Sequence, residues 1–170
     1  QGRELGRRRS ARASQGVYVT YLEQYWDLIL HNEIVTGYWI RKEIGNLVED
    51  LQDSRYVYDT ERAHKRIAFM QKFCLQSKAP YYKKPLVLMP WQLAWIEAIY
   101  SFKEVRSGHL RFIEGLLEIA RKNGKSSLLA ADGMADLFIG DGGMDICCAS
   151  NDDRQARLIW ESIGEMREKL

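Results

Sequence analysis

Three features are scarce in this 170-residue sequence: cysteine, long apolar runs and net charge. The three cysteines, Cys74, Cys147 and Cys148, are too few for a disulfide-dense scaffold, and adjacent residues of a strand point to opposite faces. No apolar run reaches membrane-spanning length, and the N-terminus lacks the apolar core of a signal peptide. We therefore expect a soluble intracellular protein with free, buried thiols and no metal clamp at the adjacent pair.

The composition is that of an ordinary globular chain, with 46% apolar and 28% charged residues. It excludes a disordered tail and a collagen-like fibre, and the length suffices for one buried core. A net charge of +2 does not indicate a class of binding partner. The charge is unevenly distributed, however, because residues 1–16 hold five arginines and a single acid, Glu4. We treat residues 1–16 as a basic flexible arm, which is either a solvated terminus or a contact for nucleic acid.

Apolar residues recur at helical spacing between residues 17 and 108 and predict a helical N-terminal region. The segment 76–88 contains Pro80 and Pro85 and is predicted to be a loop. The predicted helices cover residues 17–31, residues 40–51 with Thr36 as the cap, a segment that follows Asp59 or Thr60 and ends near Cys74, and a segment that begins at Pro90.

After Gly108 the pattern changes to strand, turn, helix, strand and helix. This order predicts an α/β fold in which residues 109–170 form a right-handed parallel βαβ unit with an added helix. The predicted elements are a strand over Leu110–Ile119, a turn over Ala120–Lys125, a helix over Ser126–Ile139 stopped by Gly140, a strand over Met144–Ala149, and a helix capped by Asp152 or Asp153 with Ala156, Ile159, Trp160, Ile163 and Met166 facing inward.

The turn reads Ala120-Arg121-Lys122-Asn123-Gly124-Lys125-Ser126 and lies between a predicted strand and a predicted helix. A phosphate-binding loop occurs at such a place, because the free N–H groups and the dipole of a helix N-terminus favour an anion. Gly124 would let the backbone approach the phosphates, and Lys125 would reach the β- and γ-phosphates. The Ser126 hydroxyl would hold Mg²⁺, and Arg121 would act as an arginine finger on the γ-phosphate.

The match to the pattern G-x-x-x-x-G-K-[ST] is incomplete, because Ile119 stands at the position of the first glycine. The alternative interpretation is a plain helix cap that follows a solvated basic turn. The three histidines lie far apart in the sequence and do not predict a zinc site.

Three further segments accompany the turn: Met89-Pro90-Trp91-Gln92 ahead of it, the helix predicted within Tyr58–Phe73, and Ala149–Ala156 with its Gln-Ala pair. Together with Ile119–Ser126, they resemble the ATPase domain of the large terminase subunit of tailed bacteriophages, in which the phosphate-binding loop is often a deviant form. The resemblance covers residues 55–170 and is specific through the combination of its motifs.

The resemblance implies a partial parallel sheet of the P-loop NTPase type, attached to the helical N-terminal region. It implies a hydrolase that binds ATP and Mg²⁺ and uses ATP hydrolysis to drive duplex DNA into the capsid. The implied partners are duplex DNA, the portal protein, the small terminase subunit and further copies of the same chain, without a membrane. The implied location is the cytoplasm of an infected or lysogenic bacterial host.

The resemblance also assigns roles to residues. Arg121 and Lys125 are the implied catalytic residues, Ser126 is the implied Mg²⁺ ligand, and Gln92 is the implied contact to adenine. The complete set of implied nucleotide-binding residues is Gln92, Arg121, Lys122, Asn123, Gly124, Lys125, Ser126 and Ser127.

Two parts of the family pattern do not occur in this sequence. Motors of this fold carry an acidic residue at the end of a further strand, expected after residues 154–170, and terminases add a nuclease domain with a carboxylate cluster. The sequence ends at Leu170, and Asp152 and Asp153 are explained more simply as helix caps. The resemblance thus implies the front part of a motor subunit that binds nucleotide but hydrolyses it poorly, because the metal and the attacking water lack ligands.

Two other functions stay open at the level of sequence. One is a different P-loop NTPase, helicase-like or kinase-like, since a glutamine motif ahead of the loop also occurs in helicases. The other is a non-catalytic assembly or binding module. In that case Gly124-Lys125-Ser126 only begins a helix, and the tryptophan-rich helical region forms an interaction surface.

Overall fold

A computed structural model describes residues 19–76 and 78–167, so the basic arm predicted over residues 1–16 lies outside the described residues. Within them the chain is mainly helical with one small sheet, which makes it α/β in a coarse sense. None of the described helices is long and apolar enough to cross a membrane. The elements are α1 (Tyr21–Leu30), α2 (Tyr38–Asp50), β1 (Tyr56–Tyr58), α3 (Glu61–Phe73), α4 (Pro90–Ser101), β2 (Phe102–Glu104), α5 (Lys125–Ile139) and α6 (Asp153–Arg167).

Local chemistry sets where most of these helices begin. Thr20 and Glu23 form a reciprocal capping box at the start of α1, which satisfies two N–H groups that the helix leaves open. Pro90 occupies the first turn of α4, as predicted, because its fixed φ suits that position. The predicted cap of α2 is corrected by one residue. Gly37 takes the cap position, and the Thr36 hydroxyl is buried without a hydrogen-bond partner.

The sheet consists of β1 and β2, which pair antiparallel with Tyr56 opposite Glu104 and Tyr58 opposite Phe102. The sheet pairs the segment that precedes α3 with the segment that directly follows α4. The Phe102 side chain is fully buried at the centre of a cluster that includes Leu22 of α1 and Val48 of α2. This small sheet therefore fixes the N-terminal helices against α4.

A larger hydrophobic core connects α3, α4, α5 and α6. Its buried residues are Ile67, Phe69, Met70, Cys74, Leu86, Leu88, Ile96, Leu128, Ala130, Ala131, Met134, Ala135, Ile163 and Met166. Burying this much apolar surface is the main force that holds α5, and hence the turn that precedes it, in place.

The final helix shows both a confirmed and a corrected prediction. The Asp152 carboxylate accepts a hydrogen bond from the Arg154 N–H at 2.8 Å, so an aspartate opens the helix as predicted. Ile163 and Met166 are buried, as their spacing indicated. Trp160 was predicted to face inward but is 64% exposed, because the face of α6 that packs against the core carries Ile159, Ile163 and Met166.

The two predicted parallel strands are not paired into a sheet within the described residues. Within the described residues, Leu110 forms one isolated antiparallel bridge to Lys103, and no β-ladder includes segments 111–119 or 144–150. Each segment packs against helices instead. The backbone at Gly115 lies against Trp95 of α4, and Ile146 lies against Gly133 of α5. A strand needs a neighbouring strand to bond its backbone groups, and no described segment takes that place.

The cysteines differ in reactivity, which gives a first testable prediction. No disulfide forms between the three described cysteines: Cys74 is buried, Cys147 is exposed and Cys148 is half-buried. Burial raises the pKa of the Cys74 thiol to about 11, which disfavours the nucleophilic thiolate. At pH 8, iodoacetamide is expected to modify Cys147 and to leave Cys74 intact, as read by peptide mass mapping.

The control for this experiment is the same labelling in guanidinium chloride, where all three thiols are expected to react because burial is lost. Equal native labelling rates at Cys74 and Cys147 would contradict the described burial of Cys74.

Candidate nucleotide-binding site

The turn ahead of α5 combines two left-handed residues with an uncapped helix start. Lys122 has φ +67° and Gly124 has φ +77°, and Gly124 is the residue that precedes the first turn of α5. The left-handed conformation at Gly124 favours glycine, because a Cβ there would be strained. The Asn123 side-chain amide donates to the Ala120 carbonyl at 3.2 Å and braces the turn.

The first amides of α5 have no acceptor in the described structure. No side chain caps the helix, and the first bond of its ladder runs from the Leu128 N–H to the Gly124 carbonyl at 2.9 Å. The N–H groups of residues 125–127 are therefore open, and the helix dipole places a partial positive charge beside them. An anion can bind at this end of α5 without displacing any other partner.

Gln92 lies beside this turn, although 31 residues separate it from Gly124 in the chain. Its side chain is 5% exposed, and its Oε1 accepts a hydrogen bond from the Met89 N–H at 2.8 Å. That bond fixes the orientation of the amide. The Nε2 atom consequently stands 3.5 Å from the place that a Cβ on Gly124 would occupy. No described residue accepts a hydrogen bond from Nε2, so the amide of a largely buried glutamine presents an unpaired donor beside the turn.

Three cations surround the same turn. Arg121, Lys122 and Lys125 are exposed, and within residues 19–76 and 78–167 no carboxylate or carbonyl binds their side chains. Ser126 and Ser127 are half-buried in the first turn of α5. The structure thus brings Gln92 together with Gly124 and leaves the charged side chains of the turn available to a ligand.

An ion-pair network that the sequence did not reveal holds α5 from behind. Arg66 of α3 is 2% exposed; it donates to Asp132 at 3.1 Å and also pairs with Asp136. The Tyr100 hydroxyl donates to the other Asp132 oxygen at 2.9 Å, and the Arg66 guanidinium lies 3.9 Å from the Tyr100 ring centre. Burial raises the pKa of Asp132, and the nearby Arg66 offsets only part of that rise.

The spacing of Asp132 and Asp136 was the one indication of this network in the sequence. Residues four apart lie on the same face of a helix, so two carboxylates on a face that also carries core residues require a buried cation. Their partner could not be chosen from the sequence, because several basic residues were equally suitable.

A buried carboxylate fixes α4, the helix that carries Gln92. Glu97 is fully buried and accepts hydrogen bonds from the Leu22 N–H at 3.0 Å, the Tyr21 N–H at 3.2 Å and the Tyr58 hydroxyl at 2.9 Å. Its second oxygen also lies 2.6 Å from His64 Nε2. Glu97 therefore joins α4 to α1, β1 and α3, and His64 is the residue of α3 that contacts it.

Two further observations concern the ligands for Mg²⁺ and the position of a cleft. No group of three or more His, Cys, Asp or Glu side chains among the described residues could hold a metal ion. A magnesium ion at Ser126 would have to arrive with the phosphates, which is the usual manner for this ion. A cleft of about 500 Å³ opens beside Val19, Tyr21, Gln24, Thr60 and His64, and none of the predicted site residues lines it.

Comparisons of the chain with protein-family models, with curated proteins and with solved structures find no match. The function of the chain is therefore inferred from its own residues and their geometry.

Proposed function

We propose that this chain binds ATP and Mg²⁺ at the turn 120–126 and is the front part of the ATPase domain of a terminase large subunit. The observation that carries the proposal is the position of Gln92. Two motifs that the resemblance assigned to one nucleotide meet in space, with the free Nε2 donor of Gln92 beside the uncapped start of α5. A mere helix cap gives no reason for a largely buried glutamine to hold an unpaired amide beside the start of α5.

Different residues of the turn contact different parts of the nucleotide. The open N–H groups of residues 125–127 donate hydrogen bonds to phosphate oxygens, and the Lys125 ammonium adds charge at the β- and γ-phosphates. Arg121 is the residue that would contact the γ-phosphate. The Gln92 Nε2 donates to an acceptor on the nucleotide. Bound Mg²⁺ neutralises phosphate charge, and Ser126 is the residue that would hold it.

The proposal includes a parallel sheet of the P-loop type, built on the segments 111–119 and 144–150. Burial alternates with the period of a strand at the end of the first segment, where Leu117 and Ile119 are half-buried while Leu116 and Glu118 are exposed. In the second segment, Ile146 and Cys148 are half-buried and Cys147 is exposed. Each segment already has one face on the helices, and α5 connects the two, as a βαβ unit requires.

The proposal also covers the partners and the place of action that the resemblance implies. They are duplex DNA, the portal protein, the small terminase subunit and further copies of the chain, in the cytoplasm of a bacterial host. A helicase-like NTPase would use the same nucleotide site, so the ATP experiment below tests both. Stimulation of ATP turnover by duplex rather than single-stranded DNA would favour the terminase.

Titration of the chain with a fluorescent ATP analogue in the presence of Mg²⁺ tests the proposal. The Lys125→Ala variant is expected to bind roughly ten- to a hundredfold more weakly, because a charge-assisted hydrogen bond contributes about 1.5–3 kcal/mol. Lys42→Ala is the matched control, since Lys42 is an exposed lysine of α2 that contacts Trp39 and not the turn. It is expected to bind like the wild type.

Equal affinity of the wild type and the Lys125→Ala variant, or no measurable binding by either, would overturn the proposal. The chain would then be the non-catalytic module that the sequence left open.

A further inference from the structure

The segment between α3 and α4 forms a hairpin that stands out from the core. Leu75 and Pro85 form an antiparallel bridge, and the Gln76 N–H donates to the Lys84 carbonyl at 2.8 Å. Buried residues on both sides anchor the base of the hairpin: Cys74, Leu86 and Leu88. The proposed nucleotide site does not use this hairpin, although it leads directly into α4.

The tip of the hairpin is basic, aromatic and exposed. The Tyr81 N–H donates to the Lys78 carbonyl at 3.1 Å, and the Tyr81 carbonyl accepts from the Lys84 N–H at 2.9 Å, so the two lysines flank Tyr81. The Lys84 ammonium lies 5.7 Å from the Tyr81 ring centre, and the Lys83 ammonium lies 5.3 Å from that of Tyr82. The rings thereby support the lysines, which remain exposed.

This positive charge belongs to a stretch without acidic residues. No Asp or Glu occurs between Glu61 and Glu97, and the stretch holds seven Lys and Arg residues. Three of the four on α3 are paired with carboxylates, namely Arg62 with Asp141, Lys65 with Glu61 and Arg66 with the aspartates of α5, while the exposed Lys72 lies over the Phe73 ring.

Two lysines of the hairpin, Lys78 and Lys84, lack such partners. Within the described residues no carboxylate lies within ion-pair distance of either side chain. The tip therefore carries unneutralised, exposed positive charge, which is a form that attracts a polyanion.

We propose that the hairpin 76–84 binds the phosphate backbone of duplex DNA through Lys78 and Lys84, without reading its sequence. Lysine is a flexible point charge that contacts phosphates, and it gives no base-specific pattern here. The tyrosine rings already contact lysines, so they are not open platforms for base stacking. The choice of duplex DNA as the polyanion rests on the proposed function, whereas the location of the contact rests on the hairpin itself.

The test is fluorescence anisotropy of a labelled random-sequence duplex, titrated with the 170-residue chain at several salt concentrations. The variant Lys78→Gln/Lys84→Gln is compared with Lys42→Gln/Arg106→Gln, which removes the same charge from other exposed positions. We expect at least tenfold weaker binding at low salt for the hairpin variant. We also expect its salt slope to fall by about two, since each phosphate contact contributes about 0.9. The control variant is expected to remain within twofold of the wild type.

Several outcomes would overturn the hairpin proposal. They are wild-type affinity in the hairpin variant, equal losses in both variants, and loss of binding on deletion of residues 1–16 with no effect of the hairpin substitutions. Loss of binding to anionic lipid vesicles without loss of DNA binding would also overturn it. Thermal melting by circular dichroism checks that both variants are folded.

ATP titration of the same variants separates this inference from the proposed function. Retained ATP affinity with lost DNA affinity supports the hairpin as a DNA contact distinct from the nucleotide site. DNA binding through the hairpin in a chain that does not bind ATP would overturn the nucleotide proposal alone.

Discussion

The Arg66→Met variant is expected to lose about 3–5 kcal/mol of its free energy of unfolding, because removing one partner of a buried ion pair leaves the other uncompensated. Arg66 is the buried cation between Asp132 and Asp136, and it also lies on the Tyr100 ring. Methionine keeps the unbranched stem of the side chain and lacks the guanidinium, so the loss reports mainly the missing charge and its hydrogen bonds. Urea denaturation followed by circular dichroism measures the effect.

Arg62→Met is the matched control on the same helix. Arg62 pairs with the exposed Asp141 at 3.1 Å, and a pair between exposed side chains contributes little to stability. We expect the control to unfold close to the wild type. Equal stability of the Arg66→Met variant and the control would contradict the buried network.

The loss in the Arg66→Met variant also depends on pH. Burial raises the pKa of Asp132 above its unfolded value, so the native state holds more protons than the unfolded state between the two pKa values. Stability from this group is therefore greatest below the unfolded pKa and decreases as the pH rises through the folded pKa. Without Arg66 the folded pKa rises further, and the variant is expected to be closer to the wild type at pH 4 than at pH 7.

Glu97→Gln is the second substitution with a large expected effect. Glu97 Oε1 accepts from the Leu22 N–H and the Tyr58 hydroxyl, and Oε2 accepts from the Tyr21 N–H. In the Glu97→Gln variant one of these oxygens becomes an NH₂ group, which cannot accept from the donors that face it. A buried donor left without an acceptor costs about 1–3 kcal/mol, so we expect a loss of that size for each donor that the amide nitrogen faces. The readout is the free energy of unfolding in urea.

Glu104→Gln is the control for this substitution. Glu104 is exposed and accepts only from the Ser107 hydroxyl at 3.0 Å. Its replacement is expected to leave the stability nearly unchanged. A Glu97→Gln variant as stable as the control would show that the carboxylate is not the acceptor that joins α4 to α1.

The helices could be predicted because their causes are local. Pro90 and the apolar spacing after it define α4, and the aspartate ahead of α6 defines its start. The boundary of α2 was missed by one residue because Thr36 and Gly37 are both suitable caps, and only the surrounding packing decides between them.

The strands could not be predicted from the same kind of pattern. An apolar run predicts that one face of a segment is buried. Strand pairing depends instead on whether another strand lies beside the segment in the folded chain. Burial alternates as in a strand only over residues 116–119 and 145–148, and neither segment has a strand neighbour among the described residues. The antiparallel pairing of β1 with β2 was missed for the same reason, since only three residues of each are involved.

The sequence placed the candidate turn correctly but could not show its surroundings. The left-handed φ of Gly124 and the uncapped start of α5 follow from local residues. The approach of Gln92 to Gly124 came only from the resemblance, because contact between residues far apart in the chain needs a tertiary fold. The spacing of Asp132 and Asp136 indicated a buried cation behind α5, but the sequence could not identify Arg66 as that cation.

The extended segments around α5 have a practical consequence for handling the isolated chain. Ile113 and Leu116 are each 91% exposed, next to backbone amides and carbonyls that no ladder occupies. Such a stretch is a template for intermolecular strand addition, so turbidity and oligomers are expected to grow with protein concentration. A peptide or neighbouring polypeptide that supplies the absent strand would act as a solubilising chaperone for this molecule.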